Sequence, residues 1–427
     1  MTHKNPKTDR AVAISILSEV LETNAFANVA LRRNFAEVNL DPRERAFVTD
    51  LVNETLRNLL QIDHLLNKIS RTPVEKMKPF IRNLLRISVC QIKFMDKIPD
   101  SAAVNEAVKL TRIYGFHNLA NYVNGVLRNV AREELNNDFL PYTLKFSYPK
   151  WLMDKLVDWL GKEGALNFCE SSHIPPPVTV LTNTAKTDIA NLAKQFEAEE
   201  VSAIPLDGAH PFFILRKIGD MTRLNSFKDG LFYVVDPGVI HAIDAVNAQP
   251  GQTILDLCAA PGGKTFAMAA AMKNEGKLLA YDVHPHRVEL IRQTQKRLGL
   301  PIISATLGDA AVLNPDLENI ADAVLLDVPC SGLGTIRKHP EMKYTRQPQD
   351  ITDLAKKQQE MLCIAAKYVK PGGKLVYCTC TVAEEENGDN ICFFLQTHEN
   401  YSLVQARQIM PGTTNDGFYV AEMKRER

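Results

Sequence analysis

A chain of 427 residues exceeds the roughly 250 to 300 at which a single core stops growing, so two or three domains are expected. Hydrophobic residues make up 45%, charged residues 23%, and the formal net charge is +0. That composition excludes a disordered chain and a polycation that holds nucleic acid by bulk charge, while leaving room for a local basic face. No apolar run approaches the roughly 20 residues that span a bilayer, and Met1 to Arg10 is polar and charged. The eight cysteines are scattered, which reads as reduced thiols, so a cytoplasmic protein without membrane association is expected. With no Cys-x-x-Cys pair or Cys/His cluster at zinc spacing, no metal is expected.

Residues 1–138 read as an all-α bundle. Apolar positions recur at helical spacing through Ile14, Leu17 and Leu21, through Phe47, Leu51 and Leu59, through Phe80, Leu84, Leu85 and Ile92, and through Tyr122, Val126 and Val130. Ser101, just after Pro99, stands where a helix N-cap would, and Gly115 separates two helical stretches. To residue 140 there are 20 Lys plus Arg against 16 Asp plus Glu, which leaves 30 against 34 for the remainder, so the basic excess is amino-terminal.

Residues 139–235 read as a linker followed by a small α+β module. Asn136 to Tyr148 is a polar and aromatic connector, and one amphipathic helix runs from Pro149 and Trp151 to the break at Ile174-Pro175-Pro176-Pro177. Strands are expected at Val178 to Leu181, Phe212 to Arg216 and Leu231 to Val235, with a helix at Ile189 to Glu200.

From residue 236 to 427, short apolar runs alternate with helical stretches in the βαβ rhythm of a parallel sheet. The strands are Thr253 to Leu257, Leu278 to Asp282, Ile302 to Thr306, Ala323 to Asp327 and Lys374 to Cys380, with two more around Leu403 and Phe418. This gives an α/β, Rossmann-like domain with a mostly parallel seven-stranded sheet.

The first chemical site is the strand-to-helix turn Asp256-Leu257-Cys258-Ala259-Ala260-Pro261-Gly262-Gly263-Lys264-Thr265. Paired glycines let backbone approach a ligand at the carboxyl edge of a sheet, where open α/β folds bind nucleotides. A P-loop needs glycine five places before Gly263, where Cys258 stands, and Gly-x-Gly-x-x-Gly is absent. Asp282 and Asp309 follow the second and third strands, in place to accept hydrogen bonds from ribose hydroxyls and an adenine amino group. Each alone reads as a solvated strand-end carboxylate; in register with the glycine loop they read as a site.

Two further motifs close strands: Asp327-Val328-Pro329-Cys330-Ser331-Gly332 and Val376-Tyr377-Cys378-Thr379-Cys380-Thr381. Both place thiols over the cofactor edge. Carbon 5 of cytosine becomes nucleophilic only after a soft nucleophile adds to carbon 6, and a thiolate suits that step. A carboxyl group at N3, such as Asp327, would stabilise the developing charge. Spacing leaves Cys330 and Cys380 both open as the attacking residue. Cys378 alternates with Cys380, is expected on the other side of the sheet, and reads as packing.

These motifs resemble those of the RNA cytosine-5 methyltransferases. His339-Pro340-Glu341, Gln358-Gln359-Glu360-Met361-Leu362, Lys370-Pro371-Gly372-Gly373 and Asp416-Gly417-Phe418-Tyr419 extend the likeness through the same half. Ala102-Ala103-Val104-Asn105-Glu106-Ala107-Val108 and Val123-Asn124-Gly125-Val126-Leu127-Arg128 resemble the NusB-like RNA-binding domain of the bacterial Fmu/Sun branch.

The resemblance implies methylation of a 16S rRNA cytosine, position 967, by a monomer using S-adenosylmethionine. It makes Cys380 the nucleophile and Cys330 the residue that assists product release. Asp327 becomes the N3 contact. It places the cofactor on Cys258, Ala259, Ala260, Pro261, Gly262, Gly263, Lys264, Asp282, Asp309 and Asp327. The chain departs from the family pattern at Val235-Asp236-Pro237-Gly238-Val239, at Val328 and at Cys378. A tRNA or DNA cytosine-5 methyltransferase, or a non-catalytic antitermination-type RNA-binding factor, are the alternatives.

Overall fold

The computed structural model describes residues 8–135, 140–216 and 218–426, so Met1 to Lys7 and residues 136–139 of the connector lie outside the described residues. The expectation of three segments meets two compact units: Met1–His173 with Ile336–Arg346, and Ile174–Thr335 with Gln347–Arg427.

The first unit is helical. Helices Asp9–Thr23, Ala27–Glu37, Pro42–Arg57, Leu59–Ile69, Pro79–Phe94, Asp100–Ile113 and Ala120–Arg132 bury one apolar core that includes Ile16, Leu17, Leu51, Leu84 and Val123. Local chemistry sets their starts. Thr8 caps the first helix through Ala11, and Asp41 with Glu44 forms a capping box ahead of Pro42. Arg86 locks Pro79–Phe94 onto Leu59–Ile69 by a two-pronged bond to Asp63 at 2.8 and 2.6 Å.

Segment Ile336–Arg346 completes this unit although it lies far along the chain. Glu341 is fully buried, and its Oε1 accepts the N–H of Ala27 at 3.0 Å, which satisfies an orphan donor at the start of helix Ala27–Glu37. Lys343 is equally buried and donates to the carbonyls of Arg57, at 2.8 Å, and Phe146, at 3.1 Å. Arg57 ends its helix, so Lys343 serves one of the carbonyls that a helix terminus leaves open. Burial, and then the Arg57 cation, push Lys343 well below the usual amine range. His173 is driven down to about 3 by burial, Lys343 and Arg57.

The second unit joins a small sheet to a large one. Strands β1 (Val178–Thr182), β2 (Ser202–Pro205), β3 (Phe212–Arg216) and β4 (Phe232–Val234) form an antiparallel sheet in the order β2-β3-β1-β4. Val180, Phe213, Leu215 and Phe232 pack against Leu192 and Phe196 of helix Ile189–Ala198 on one face. Leu181, Phe212 and Tyr233 turn the other way into the core of the large sheet.

That large sheet comprises β5 (Thr253–Asp256), β6 (Lys277–Asp282), β7 (Ile303–Leu307), β8 (Ala321–Asp327), β9 (Val369–Thr379), β10 (Tyr401–Ile409) and β11 (Phe418–Arg425). Their order is β10-β11-β9-β8-β5-β6-β7, with β11 antiparallel to both neighbours and the pairs from β9 to β7 parallel. The seven-stranded, mostly parallel sheet is as expected. The chain runs outward from β5 through β6 to β7, then returns to β8, so the topological switch point opens between the carboxyl ends of β5 and β8.

Two local expectations need correction, and one strand went unread. Ser101 is not an N-cap: helix Asp100–Ile113 starts one residue earlier, after Pro99, whose fixed φ presets the first turn. The helix after Pro149 is broken at Gly161, where φ 70° and ψ 170° lie outside helical space. Strand β2 carries an exposed, proline-ended sequence that gives no apolar signal, and its pairing with β3 creates it.

Lys343→Ala leaves two buried carbonyls unpaired and a cavity, so the helical unit is expected to lose about 3 kcal/mol. Lys343→Met, which keeps the volume and removes a buried amine, is expected to cost less than half as much. Urea denaturation followed by circular dichroism measures both.

Candidate active site

Asp256 ends β5 in near-complete burial, with its Oδ2 accepting from Thr265 Oγ1 at 2.6 Å. Burial raises its carboxyl to about 7, with Thr265 opposing and Asp327 adding to the shift. The following loop is hooked to β6 by the Ala259 N–H, 2.8 Å from the Tyr281 carbonyl. Gly262 adopts φ 107°, and a Cβ there would sit 2.2 Å from the Phe266 ring. Helix Gly263–Ala271 then begins, with the donors of its first turn at the loop.

Asp282, buried at the end of β6, accepts the His284 N–H on Oδ1 at 2.9 Å. Asp309 accepts the Ala311 N–H at 2.9 Å and borders a cavity of about 190 Å³ walled by Leu257, Tyr281, Leu313 and Tyr368. An apolar, aromatic slot with the Asp309 carboxylate at its rim and Asp282 at the neighbouring strand end suits adenosine. The same carboxylates would repel a triphosphate, and Lys264, which a P-loop would need for phosphate, is committed to Asp327 at 2.6 Å. Cys258 to Lys264, Asp282 and Asp309 thus surround one edge, in keeping with the cosubstrate that the resemblance implies.

The thiols stand at the neighbouring strand ends. Strands β8 and β9 pair in parallel with Asp327 opposite Cys378, so both chains leave the sheet together. Beyond them Cys330 Sγ lies 3.3 Å from Cys380 Sγ, and the Cys380 N–H also points to Cys330 Sγ at 3.3 Å. The hydrogen bond to Cys380, and then burial, push the Cys330 thiol well above its usual range. Either sulfur is able to donate in this contact, and the raised Cys330 thiol favours its neutral form.

Lys264 binds Asp327 Oδ2 and lies over the Phe418 ring, 5.1 Å from its centroid. Burial opposes its charge, yet Asp327 and Cys378 hold its amine above the usual range.

Cys378 is buried, as expected of a packing residue, but it does not turn away from the site. Its Sγ is 3.4 Å from Asp327 Oδ1. The expectation extended strand alternation through Cys380, whereas β9 ends at Thr379 and the chain has left the pleat by Cys380. The segment around Val235 is built into the site too, since a Cβ on Gly263 would meet Val235 Cγ2 at 2.8 Å.

Other contributors escaped sequence reasoning. Gly334 donates its N–H to the Cys380 carbonyl at 2.9 Å and accepts the Gly417 N–H at 2.8 Å. A Cβ on Gly334 would come 2.3 Å from the Gly417 oxygen and 2.8 Å from the Cys380 oxygen. Two glycines, one just past the Pro-Cys motif and one in Asp416-Gly417-Phe418-Tyr419, were the available signal. Beneath the thiols, Gln358 and Glu386 are fully buried and bonded to each other at 2.8 Å. Of the remaining motifs, His339-Pro340-Glu341 lies in the helical unit instead, and Lys370 to Gly373 forms part of the amino-terminal stretch of β9.

Gly334→Ala has to displace backbone at Cys380 and is expected to lower methyl transfer about 100-fold, with S-adenosylmethionine affinity unchanged by calorimetry. For Asp256, the folded carboxyl titrates near 7 against 3.8 when unfolded. Its contribution is complete below the lower value and is lost as pH rises through the upper one. Melting curves without cosubstrate should therefore show Asp256→Asn gaining on the parent as pH rises from 4 to 8.

Comparison with known proteins agrees with this geometry. The family model described as 16S rRNA methyltransferase RsmB/F matches residues 243–424, and the NusB family model matches residues 7–132. The chain is 35% identical to the probable ribosomal RNA small subunit methyltransferase B of Bacillus subtilis, covering 98% of both chains. It is 31% identical to ribosomal RNA small subunit methyltransferase B of Shewanella oneidensis, covering 97% of this chain and 98% of that one. Among solved structures, PH0851 matches with a TM-score of 0.81 at 25% identity, covering 98% of this chain and 99% of that one. A methyltransferase homolog protein from Pyrococcus horikoshii matches with a TM-score of 0.58 at 26% identity, covering 68% of this chain and 100% of that one. The chain belongs to the ribosomal RNA small subunit methyltransferase B family, the RNA methyltransferases of the Fmu/Sun type.

Proposed function

We propose that this enzyme methylates carbon 5 of a cytosine in 16S rRNA, position 967, through a covalent adduct on Cys380. The observation that carries this reading is the pair of sulfurs 3.3 Å apart at the carboxyl ends of β8 and β9. The contact with Cys380 and burial disfavour a thiolate on Cys330, and the family resemblance assigns the attack to Cys380.

Cys380 Sγ adds to carbon 6 of the ring, and the electron pair released from the carbon 5–carbon 6 bond makes carbon 5 nucleophilic. The negative charge that develops at N3 is met by a proton delivered through Asp327 from Lys264, 2.6 Å away. The loop from Cys258 to Lys264, with Asp282 and Asp309, holds S-adenosylmethionine, which supplies the methyl group when bound. The carbon 5 proton passes to Cys330 or to a water, the electron pair it leaves re-forms the carbon 5–carbon 6 double bond, and Cys380 departs from carbon 6 as Cys330 assists that release.

The target base has to leave its stack to be reached by both a thiol and a methyl donor, so a loop or an opened helix is the substrate. In the helical unit, exposed Lys109, Arg112 and Arg128, with Asn105, Asn121 and Asn124, give a surface suited to RNA phosphates. Among the described residues no helix is long and apolar enough to cross a membrane, and no group of three or more His, Cys, Asp and Glu could hold a metal. We place the enzyme in the cytoplasm as a monomer acting on small-subunit rRNA.

With labelled cosubstrate and 16S rRNA, Cys380→Ala is expected to abolish both methyl transfer and the denaturant-resistant RNA adduct. Cys330→Ala is expected to accumulate the adduct. Methyl transfer that survives in Cys380→Ala overturns the mechanism, and bisulfite sequencing that finds the lost 5-methylcytosine in tRNA from a deletion strain overturns the substrate.

A further inference from the structure

Both peptide groups that flank Cys330 are tied to a buried carboxylate. Glu386 lies six residues past Cys380 in the turn Glu384–Glu386 and is fully buried. Its Oε2 accepts the Ser331 N–H at 2.9 Å and Gln358 Nε2 at 2.8 Å. Gln358 Nε2 also donates to the Pro329 carbonyl at 2.9 Å. The carbonyl before Cys330 and the N–H after it are therefore fixed by one Gln–Glu pair.

The pair is itself held in one orientation. Gln358 Oε1 accepts from Asn390 Nδ2 at 2.9 Å and lies 3.2 Å from Tyr377 Oη, which leaves only the amide nitrogen to face Glu386 and Pro329. The Tyr377 hydroxyl donates its one hydrogen to the Glu386 carbonyl at 2.6 Å, anchoring the turn. From the opposite side, Ser331 Oγ and Thr381 Oγ1 meet at 2.7 Å and join the Cys330 loop to the residue after Cys380.

We propose that Glu386 is a positioning residue for product release, holding Cys330 at the distance from Cys380 from which it acts on the methylated adduct. The inference rests on the Cys380 adduct reading above. Glu386 reaches Cys330 through Ser331 and Gln358 rather than touching the base.

The test uses the full-length enzyme, 16S rRNA transcribed in vitro and labelled S-adenosylmethionine, with trapped adduct read on denaturing gels. Glu386→Ala is expected to slow turnover at least about tenfold and to raise trapped adduct toward the Cys330→Ala level. Glu386→Gln keeps an oxygen for both donors and is expected to return both readouts most of the way to the parent.

Should Glu386→Ala slow turnover without trapping adduct while Cys330→Ala traps it, the positioning role is overturned and the network only supports the fold. Trapping by Glu386→Gln equal to that of Glu386→Ala also overturns it, because geometry would then not be what matters. If Cys330→Ala traps nothing, the underlying reading fails and the proposal falls with it. Should Glu386→Ala lose cosubstrate binding through misfolding, Gln358→Met removes the same amide donors, and absence of trapped adduct there overturns the proposal.

Discussion

The pairing of β8 with β9 is the constraint on which the active site depends. A parallel ladder fixes Asp327 beside Cys378, and it continues past the regular strands through single backbone bonds. The Val328 N–H reaches the Cys378 carbonyl at 3.1 Å, and the Gly334 N–H reaches the Cys380 carbonyl at 2.9 Å. Side-chain periodicity stops with β9, but backbone pairing does not. Two loops that diverged freely from neighbouring strand ends would not keep two sulfurs at 3.3 Å; here the approach follows from bonds on both sides of each cysteine.

The electrostatics follow from that placement. Asp327 sits where the ladder ends and Lys264 where the helix after the glycine loop begins, so the switch point brings an acid from one strand against a base from another loop. Asp256, buried behind them, is close enough for the Asp327 charge to raise its carboxyl further. The carboxylates of Asp256, Asp282 and Asp309 at successive strand ends give the edge acceptors for hydroxyl and amino groups and set it against phosphate.

Much of this was legible in the sequence because the chemistry is punctuated by strand ends. Glycines 262 and 263, Asp282, Asp309, Asp327, Cys330 and Cys380 each fall where an apolar run stops, and a parallel sheet gathers such points on one edge. What sequence could not give is anything set by contacts between distant residues. Gln358 reads as one polar position on an amphipathic helix, and Glu386 as one of three consecutive glutamates; only the fold shows that both are buried and bonded. Gly334 looks like an ordinary loop glycine until Gly417, 83 positions later (417 minus 334), is found against it. Spacing left Cys330 and Cys380 both open, because their 3.3 Å approach depends on a fold that a linear pattern does not carry.

The motif His339-Pro340-Glu341 shows how a signature can belong to one half of a chain and serve the other. It stands a few residues beyond the Cys330 loop, yet Glu341 caps helix Ala27–Glu37 and Lys343 closes the end of helix Pro42–Arg57. Both side chains are charged types in full burial, held by the Ala27 N–H on Glu341 Oε1 and by two carbonyls on the Lys343 amine. The NusB family model ends at residue 132, but the helical unit does not: two of its helix termini are satisfied by groups that arrive from the methyltransferase half. The helical unit is therefore completed only by residues that lie beyond the Pro-Cys motif.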